Sequence, residues 1–441
     1  MKKKKAFVCV LTGTLMLGLG TLRARGDINP HWGRISLFAQ AAQRGQSGGE
    51  GSLFTELVGT LMFRAPAGDE GGFEYAIDTR FAGYPTTEGR KQRVSVYDAS
   101  IGWRAKGHRF GFRAGQVWLD ELGALGSLGG VVAEARPFGE PFAGIGELRV
   151  GGFWWMEPKI MEAGYVSGVQ KFGGYLTLEG RDARRHVLGY VNLRNQSLTE
   201  RSVLVLSNYV PIKKEFFLYQ AMEYDLQGPA GQGGGRLTYF FANARFNPVP
   251  MIELQGVFHH GRSIDARTIT EDVRNGRPVS ESELEGFLYE SIGGRLTFRF
   301  TPGIQAFAGY ARDKTNEQDE RRDRYTFGVF GYDLFHSGWD ARVTHSRYSQ
   351  AGQSSYNSWY VSLGKTFGRG LYLEGYYSSS VSVLRIFGSQ VQVETRPHTE
   401  LYGLSSVFFM TRRASLLLTL EHTSGDFPGE TRALTGLSYR F

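Results

Sequence analysis

Apolar residues recur at every second position along most of this chain. In GFEYAIDTRF, Phe73, Tyr75, Ile77, Thr79 and Phe81 share one face, while Glu74, Ala76, Asp78 and Arg80 share the other. YDASIGWRA sets Tyr97, Ala99, Ile101 and Trp103 against Asp98, Ser100, Gly102 and Arg104. GRLTFRF sets Leu296, Phe298 and Phe300 against Arg295, Thr297 and Arg299, and SLLLTLEH gives Leu416, Leu418 and Leu420 one side. The closing LTGLSYRF places Leu437, Tyr439 and Phe441 on one face, with Gly436, Ser438 and Arg440 on the other. A period of two is that of a β-strand. Each run is about ten residues long, the length a tilted strand needs to cross a bilayer.

The connectors fall into two classes. Short ones occur at 105–108, 247–250, 301–303, 336–338, 368–370 and 411–413, and all but the last contain the Gly or Pro that suits tight turns. Longer polar ones occur at 43–52, 83–92, 119–129, 156–171, 264–287, 313–322, 349–356, 380–397 and 424–431. Counted back from Phe441, short and long connectors alternate. This predicts an all-β fold, a closed antiparallel transmembrane β-barrel of about 22 strands beginning near Gly33, with both ends of the chain on one side. Residues 130–136 and 200–208 alternate weakly, so counts of about 18 or 20 also fit. No apolar run after residue 26 is long enough for a transmembrane helix. A sheet in lipid must therefore close on itself, because unpaired backbone groups are too costly there.

The first residues change the charge picture. MKKKKAFVCVLTGTLMLGLGTLRARGD has a Lys run, an apolar stretch and small residues spaced for cleavage, the pattern of a secretory signal peptide over 1–26. Barrel sequence then fills 27–441, with no separate globular domain or N-terminal plug. The leader carries four Lys and two Arg, so the formal charge of +8 falls to +2 without it, and a nucleic-acid partner is not indicated. Cys9, the chain's single cysteine, lies in the leader, so no disulfide is expected in the mature part. Sixty Gly residues with 14% aromatics suit twisted strands and tight turns rather than disorder.

The last residues carry a resemblance. Phe441, with Tyr439 and Leu437 at alternate positions before it, is similar to the C-terminal assembly signal of bacterial outer-membrane β-barrel proteins. The resemblance implies a porin-like barrel in a Gram-negative outer membrane. Its implied partners are the barrel-assembly machinery, outer-membrane lipids and lipopolysaccharide. The chain departs from TonB-dependent receptors, having neither plug nor energy-coupling box.

On the alternation above, a set of charged residues faces the lumen. Arg109, Arg113, Arg295, Arg299 and Arg342 are the basic candidates for setting ion preference, and Asp78, Asp98 and Asp340 the acidic ones. Glu74, Arg80, Arg104, Glu374 and Arg440 point the same way. Arg295 and Arg299, with Arg109 and Arg113, read as a basic strip. Cross-strand pairing of these charges is the plainer alternative. Trp103, Trp118, Trp154, Trp155, Trp339, Trp359, Tyr376 and Tyr377 lie near strand ends, as interfacial girdles do. An inward subset would instead form a carbohydrate-stacking path.

Nothing indicates catalysis. The adjacent His259 and His260 point to opposite faces of a strand, GSLGG at 126–130 lacks the strand–Ser–helix setting of a nucleophile elbow, and no metal or cofactor motif is present. The acidic loop 311–324 lacks the spacing and glycine of a calcium loop. The stretch 264–287 either extends outside or folds into the barrel mouth, with a short helix at SESELEGF. The expected function is diffusion of small hydrophilic solutes. The alternative is a structural or export-partner barrel with little conductance of its own, plugged by a periplasmic or lipoprotein partner.

Overall fold

Antiparallel strands joined by short turns pair with their sequence neighbours, and this chain does so throughout. A computed structural model describes residues 31–46, 49–86, 90–138, 146–159, 162–180, 182–316, 321–350, 354–387 and 392–441. The expected leader at 1–26 lies outside them, as do Asp319 and Glu320 of the acidic loop. The wall begins with β1 (Trp32–Gln46), β2 (Gly49–Ala65), β3 (Gly72–Gly83), β4 (Arg93–Arg104), β5 (Phe110–Trp118), β6 (Ser127–Ala135), β7 (Gly146–Pro158) and β8 (Tyr165–Gly180). It continues with β9 (Arg185–Asn195), β10 (Leu198–Ile212), β11 (Phe216–Gln227), β12 (Arg236–Val249), β13 (Ile252–Ser263), β14 (Phe287–Thr301), β15 (Ile304–Thr315) and β16 (Arg322–Leu334). It ends with β17 (Trp339–Gln350), β18 (Ser354–Phe367), β19 (Leu371–Phe387), β20 (Gln392–Thr395), β21 (His398–Phe409), β22 (Ala414–Gly425) and β23 (Glu430–Arg440). The short β20 pairs with the far end of β19, while β21 pairs with the rest of it. These two segments share one place, so the barrel is 22 strands round.

The weakly alternating stretches 130–136 and 200–208 both belong to wall strands, the first to β6 as far as Ala135 and the second to β10. The polar connector expected over 156–171 is shorter, because β7 runs on to Pro158 and β8 begins at Tyr165.

Closure comes from β1 and β23, which pair antiparallel from Arg34 opposite Arg440 to Arg44 opposite Glu430. At the end of the seam the Gly33 N–H donates to the Phe441 carbonyl at 3.0 Å, and the Phe441 N–H donates back to Gly33 at 3.1 Å. The Phe441 ring lies over Gly33 so closely that a Cβ there would meet ring carbons at 2.3 Å. The same ring stacks on Phe63 at 5.9 Å.

The pleat then separates two surfaces. Phe73, Ile101, Phe300, Leu404, Leu418 and Leu420 are exposed on the outside. The inside carries the charged partners. Ion pairs joining Arg104 of β4 to Glu74 of β3 and Glu134 of β6 fix which face is inner.

The wall is not of even height. β5 and β6 have nine residues each, against 13 in β7 and 16 in β8. Their connection therefore leaves the wall partway up. It turns inward as a short 3-10 segment, Asp120–Leu125. Leu119 and Leu122 of this connection are fully buried, packed with Val117, Leu128, Val132, Phe153, Tyr175, Val191, Val203 and Val205 on the inner wall. The long polar loop expected at 119–129 is thus a lumen element, because its leucines find an apolar patch inside the barrel.

At the mouth above it, the connection between β13 and β14 folds as two helices, α1 (Ala266–Arg274) and α2 (Glu281–Glu285). Asp265 caps the first, and a Ser280–Glu283 capping box starts the second.

Closure at Gly33 yields a direct test. Gly33→Leu removes the space under the Phe441 ring and is expected to prevent stable closure of the seam. The folded, heat-modifiable band on a cold detergent gel should be lost, while Gly370→Leu, in the turn before β19 with nothing within 4 Å of the added Cβ and no left-handed backbone, should retain it. A Gly33→Leu protein that migrates like the native one would contradict the seam packing.

Candidate functional site

A barrel of this width has a water-filled interior unless something occupies it. Two contrasting sectors line that interior. In the sector around β3–β10, side chains on the inner wall are tied together by charge. Glu134 accepts from Arg104 at 3.0 Å, from Arg149 at 2.9 Å and from the Tyr175 hydroxyl. Arg104 also donates to Glu74 at 2.7 Å. Arg149 reaches Glu121 of the inward segment at 2.7 Å and Glu179 at 3.0 Å, and Arg185 donates to the same Glu121 oxygen at 2.8 Å. Nearer the mouth, Arg201 grips Asp225 at 2.9 Å and Glu223 at 3.1 Å.

These charges are mostly shielded from water, so removing one partner leaves an uncompensated ion, at a cost of about 3–5 kcal/mol. The net gain from forming such pairs is small, because desolvation offsets most of it. The apolar anchor is the larger favourable term for the inward segment, since burying two leucines contributes about 1.5–3 kcal/mol each. Helix α1 adds a second obstruction on the same side. Its Arg267 pairs with Glu157 of β7 and with Glu200 of β10 at 3.3 Å, and Arg274 donates to Asn195 at 3.3 Å.

The other sector, β14–β22, keeps water-accessible side chains on its inner face. A stripe of rings and guanidinium groups crosses it, strand by strand. Arg295 of β14 lies 3.8 Å over the Phe307 ring of β15 and 6.0 Å from Phe330 of β16. Arg342 of β17 sits between Phe330 at 5.7 Å and Tyr360 of β18 at 5.6 Å. Tyr360 stacks on Tyr376 of β19 at 6.2 Å, and the Tyr376 hydroxyl donates to Glu421 of β22 at 2.6 Å. Of these, Arg342 is exposed and Arg295, Phe330, Tyr360, Tyr376 and Glu421 are part-exposed.

The residues singled out from sequence are spread over both sectors. Asp98 is buried, accepts from Ser100 at 2.6 Å and stands opposite Asp78. Arg113 lies 3.8 Å from Glu74. Arg109 is exposed at the rim, just before β5. Arg299 pairs with Glu253 at 2.5 Å, near the opposite rim from α1. Asp340 accepts the Asp333 N–H in the turn before β17, at 2.9 Å. Arg342 donates to Thr344 at 3.3 Å. Among the described residues no carboxylate forms an ion pair with Arg295 or Arg342. Leu437, Tyr439 and Phe441 share the outward face of β23 beside the seam. Of the girdle candidates, Trp154, Trp155, Trp339 and Trp359 are exposed, whereas Tyr376 points inward.

The sequence reading passed over Glu121, Glu134, Arg149, Tyr175 and Arg185, the centre of the charged sector. A usable signal was present: Leu119, Leu122 and Leu125 recur every third residue in a stretch that an external loop would keep polar.

No family model matches the chain, and no curated protein matches it. Among solved structures it is similar to OccAB4 of Acinetobacter baumannii, with 10% identity over 95% of this chain and 100% of that one, at a TM-score of 0.43. It is also similar to OccK8 (OprE) of Pseudomonas aeruginosa, with 10% identity over 94% and 99% and a TM-score of 0.44. OpdL of Pseudomonas aeruginosa shares 9% identity over 93% and 98%, at a TM-score of 0.44. The strand pairing above establishes the fold independently of this likeness.

Leu122→Ala should loosen the inward segment, with a cost of about 2–5 kcal/mol to its packing. The Leu122 side chain presses so close to Gly189 that a Cβ there would meet it at 2.5 Å, and Gly189→Val should displace the segment by the opposite means. Both variants are expected to raise single-channel conductance in a planar bilayer. Unchanged conductance in both would show that the segment does not narrow the passage.

Proposed function

We propose that this chain is an outer-membrane channel through which small hydrophilic solutes diffuse. The observation that carries the proposal is the accessible, charged inner wall of β14–β22, inside a closed barrel whose outside is apolar. An apolar belt on a 22-strand barrel suits a bilayer, and a polar lumen suits water and ions. The barrel-assembly machinery would recognise Leu437, Tyr439 and Phe441, and lipopolysaccharide would surround the outer rim.

The mouth bearing α1 is the outer one, and the turns at 302–303 and 368–370 are periplasmic. Single cysteines test this orientation. Asn275→Cys should react with an impermeant maleimide on intact cells, and Arg369→Cys only after the outer membrane is opened. The reverse pattern would invert the orientation.

Conductance tests the function itself. Purified protein in a planar bilayer should give steady ohmic steps with a mild anion preference. The preference is assigned chiefly to Arg295 and Arg342, since Arg299 and Arg113 have carboxylates beside them. Arg295→Ser and Arg342→Ser together should reduce it more than Arg299→Ser alone. The export-partner alternative has less support, because the chain's own 119–126 segment and α1 already occupy one side of the lumen. A silent barrel that co-purifies with another envelope protein would favour that alternative.

A further inference from the structure

The stripe across β14–β22 has a polarity that a plain water-filled wall does not need. At one end stand two guanidinium groups beside rings, Arg295 with its central carbon 3.8 Å from the centre of Phe307 and Arg342 5.7 Å from that of Phe330 and 5.6 Å from that of Tyr360. A guanidinium attracted to a ring keeps its in-plane N–H donors for other partners; Arg342 gives its Nε–H to Thr344 and retains the two terminal nitrogens for a planar acceptor. Neither group has a carboxylate ion partner among the described residues, and the Nε of Arg295 is shielded from water without a hydrogen-bond partner. Several arginines elsewhere on the inner wall are treated differently. Arg104, Arg149, Arg185 and Arg201 each have at least one carboxylate within 3.1 Å. Arg295 and Arg342, like Arg64 and Arg245, are thus inner-face arginines with a ring nearby and no carboxylate ion partner among the described residues, and Arg295 and Arg342 are the pair that shares one ring, Phe330.

At the other end of the stripe stands Glu421, fixed by the Tyr376 hydroxyl, with Arg432 3.7 Å from its second oxygen. Glu374 of β19 faces the same way. Carboxylates here accept hydrogen bonds, so they favour hydroxyl donors and repel a second negative charge. Between the two ends lie Tyr360 and Tyr376, stacked with their planes 28° apart. Their rings offer apolar surface to the C–H face of a flat solute.

We propose that this stripe is a binding subsite for acidic saccharides, meaning pyranose sugars that carry an anionic group, and that it makes the channel selective for them. This rests on the channel reading above and names its solute class. The anionic group completes Arg295 and Arg342, the pyranose face lies on Tyr360 and Tyr376, and the hydroxyls donate toward Glu421. A neutral sugar leaves the two arginines open. A small polycarboxylate meets Glu421 and Glu374 and has no face for the rings.

Current block in a planar bilayer tests the assignment, with digalacturonate as the probe, maltose as its neutral counterpart and tricarballylate as an acid without a ring. Digalacturonate is expected to interrupt the current of the native channel at concentrations about tenfold below those at which either control does so, the scale of one charge-assisted hydrogen-bonded contact. Arg342→Ser and Tyr360→Ala should each weaken that block by about tenfold. Arg342→Lys keeps the charge but loses the stacked, forked donor, and should also weaken it. Each variant is first shown to migrate as a folded, heat-modifiable barrel, so that loss of block is not loss of fold.

Equal block by tricarballylate would reduce the stripe to simple charge attraction and overturn the proposal. So would equal block by maltose, or an Arg342→Lys channel that digalacturonate blocks as well as the native one. A steady conductance with no digalacturonate block refutes the subsite and leaves the channel standing. Absence of conductance refutes the channel itself.

Discussion

Everything in this molecule depends on pairing the first strand with the last. A sheet with an apolar outer face cannot leave an edge open in lipid, because each unpaired N–H or C=O costs several kcal/mol there. The β1–β23 ladder removes both edges at once. It also fixes register, since a slip of one residue would turn the outer face of β23 into the lumen. The residues at the end of the seam are chosen accordingly: a glycine where the Phe441 ring must lie, and Phe63 to stack upon it. Closure in turn creates an interior that no short side chain can fill, and the rest of the chain's architecture is a response to that space.

The response is lopsided. Two nine-residue strands let a connection turn inward, and its leucines find valines and aromatics on the wall beside it. Charge pairs then settle around the apolar anchor, with Glu121 bridging Arg149 and Arg185. Helix α1 leans over the same side, through Arg267. Fully buried side chains are accordingly concentrated between Val117 and Asp225, with Thr270 of α1 outside that span. The inner wall of β14–β22 is more open, and there Arg295 and Arg342 lie by rings without an ion-paired acid, while Arg299 and Arg324 pair with Glu253 and Asp313.

The barrel was plain in the sequence because alternation and turn chemistry are local signals, repeated strand after strand. Phe73 to Phe81 and Leu416 to Leu420 announce their outer face without any tertiary context. The inward segment was not legible in the same way. Its meaning depends on β5 and β6 being shorter than β7 and β8, and strand ends are set by which neighbours remain to pair with. Partner choice among the charges was equally hidden. Arg295 and Arg299 are four residues apart on one face of one strand, yet one stacks on Phe307 and the other pairs with Glu253. Only the register between strands, which brings β13 and β15 to either side of β14, decides between those environments.

The one-sided filling has a geometric consequence for whatever passes. A round opening sieves by diameter, and a sphere and a plate of equal width fare alike in it. Filling attached along one arc of a circular wall leaves a crescent, bounded by the filling on one side and the curved wall on the other. A crescent is long in one direction and thin in the other, so it sieves by thickness. Slender or flat molecules pass with their broad faces along the wall, while compact globular ones of the same mass are held back. If the inward turn after β5 narrows the passage, it sets the shape of the sieve as well as its area.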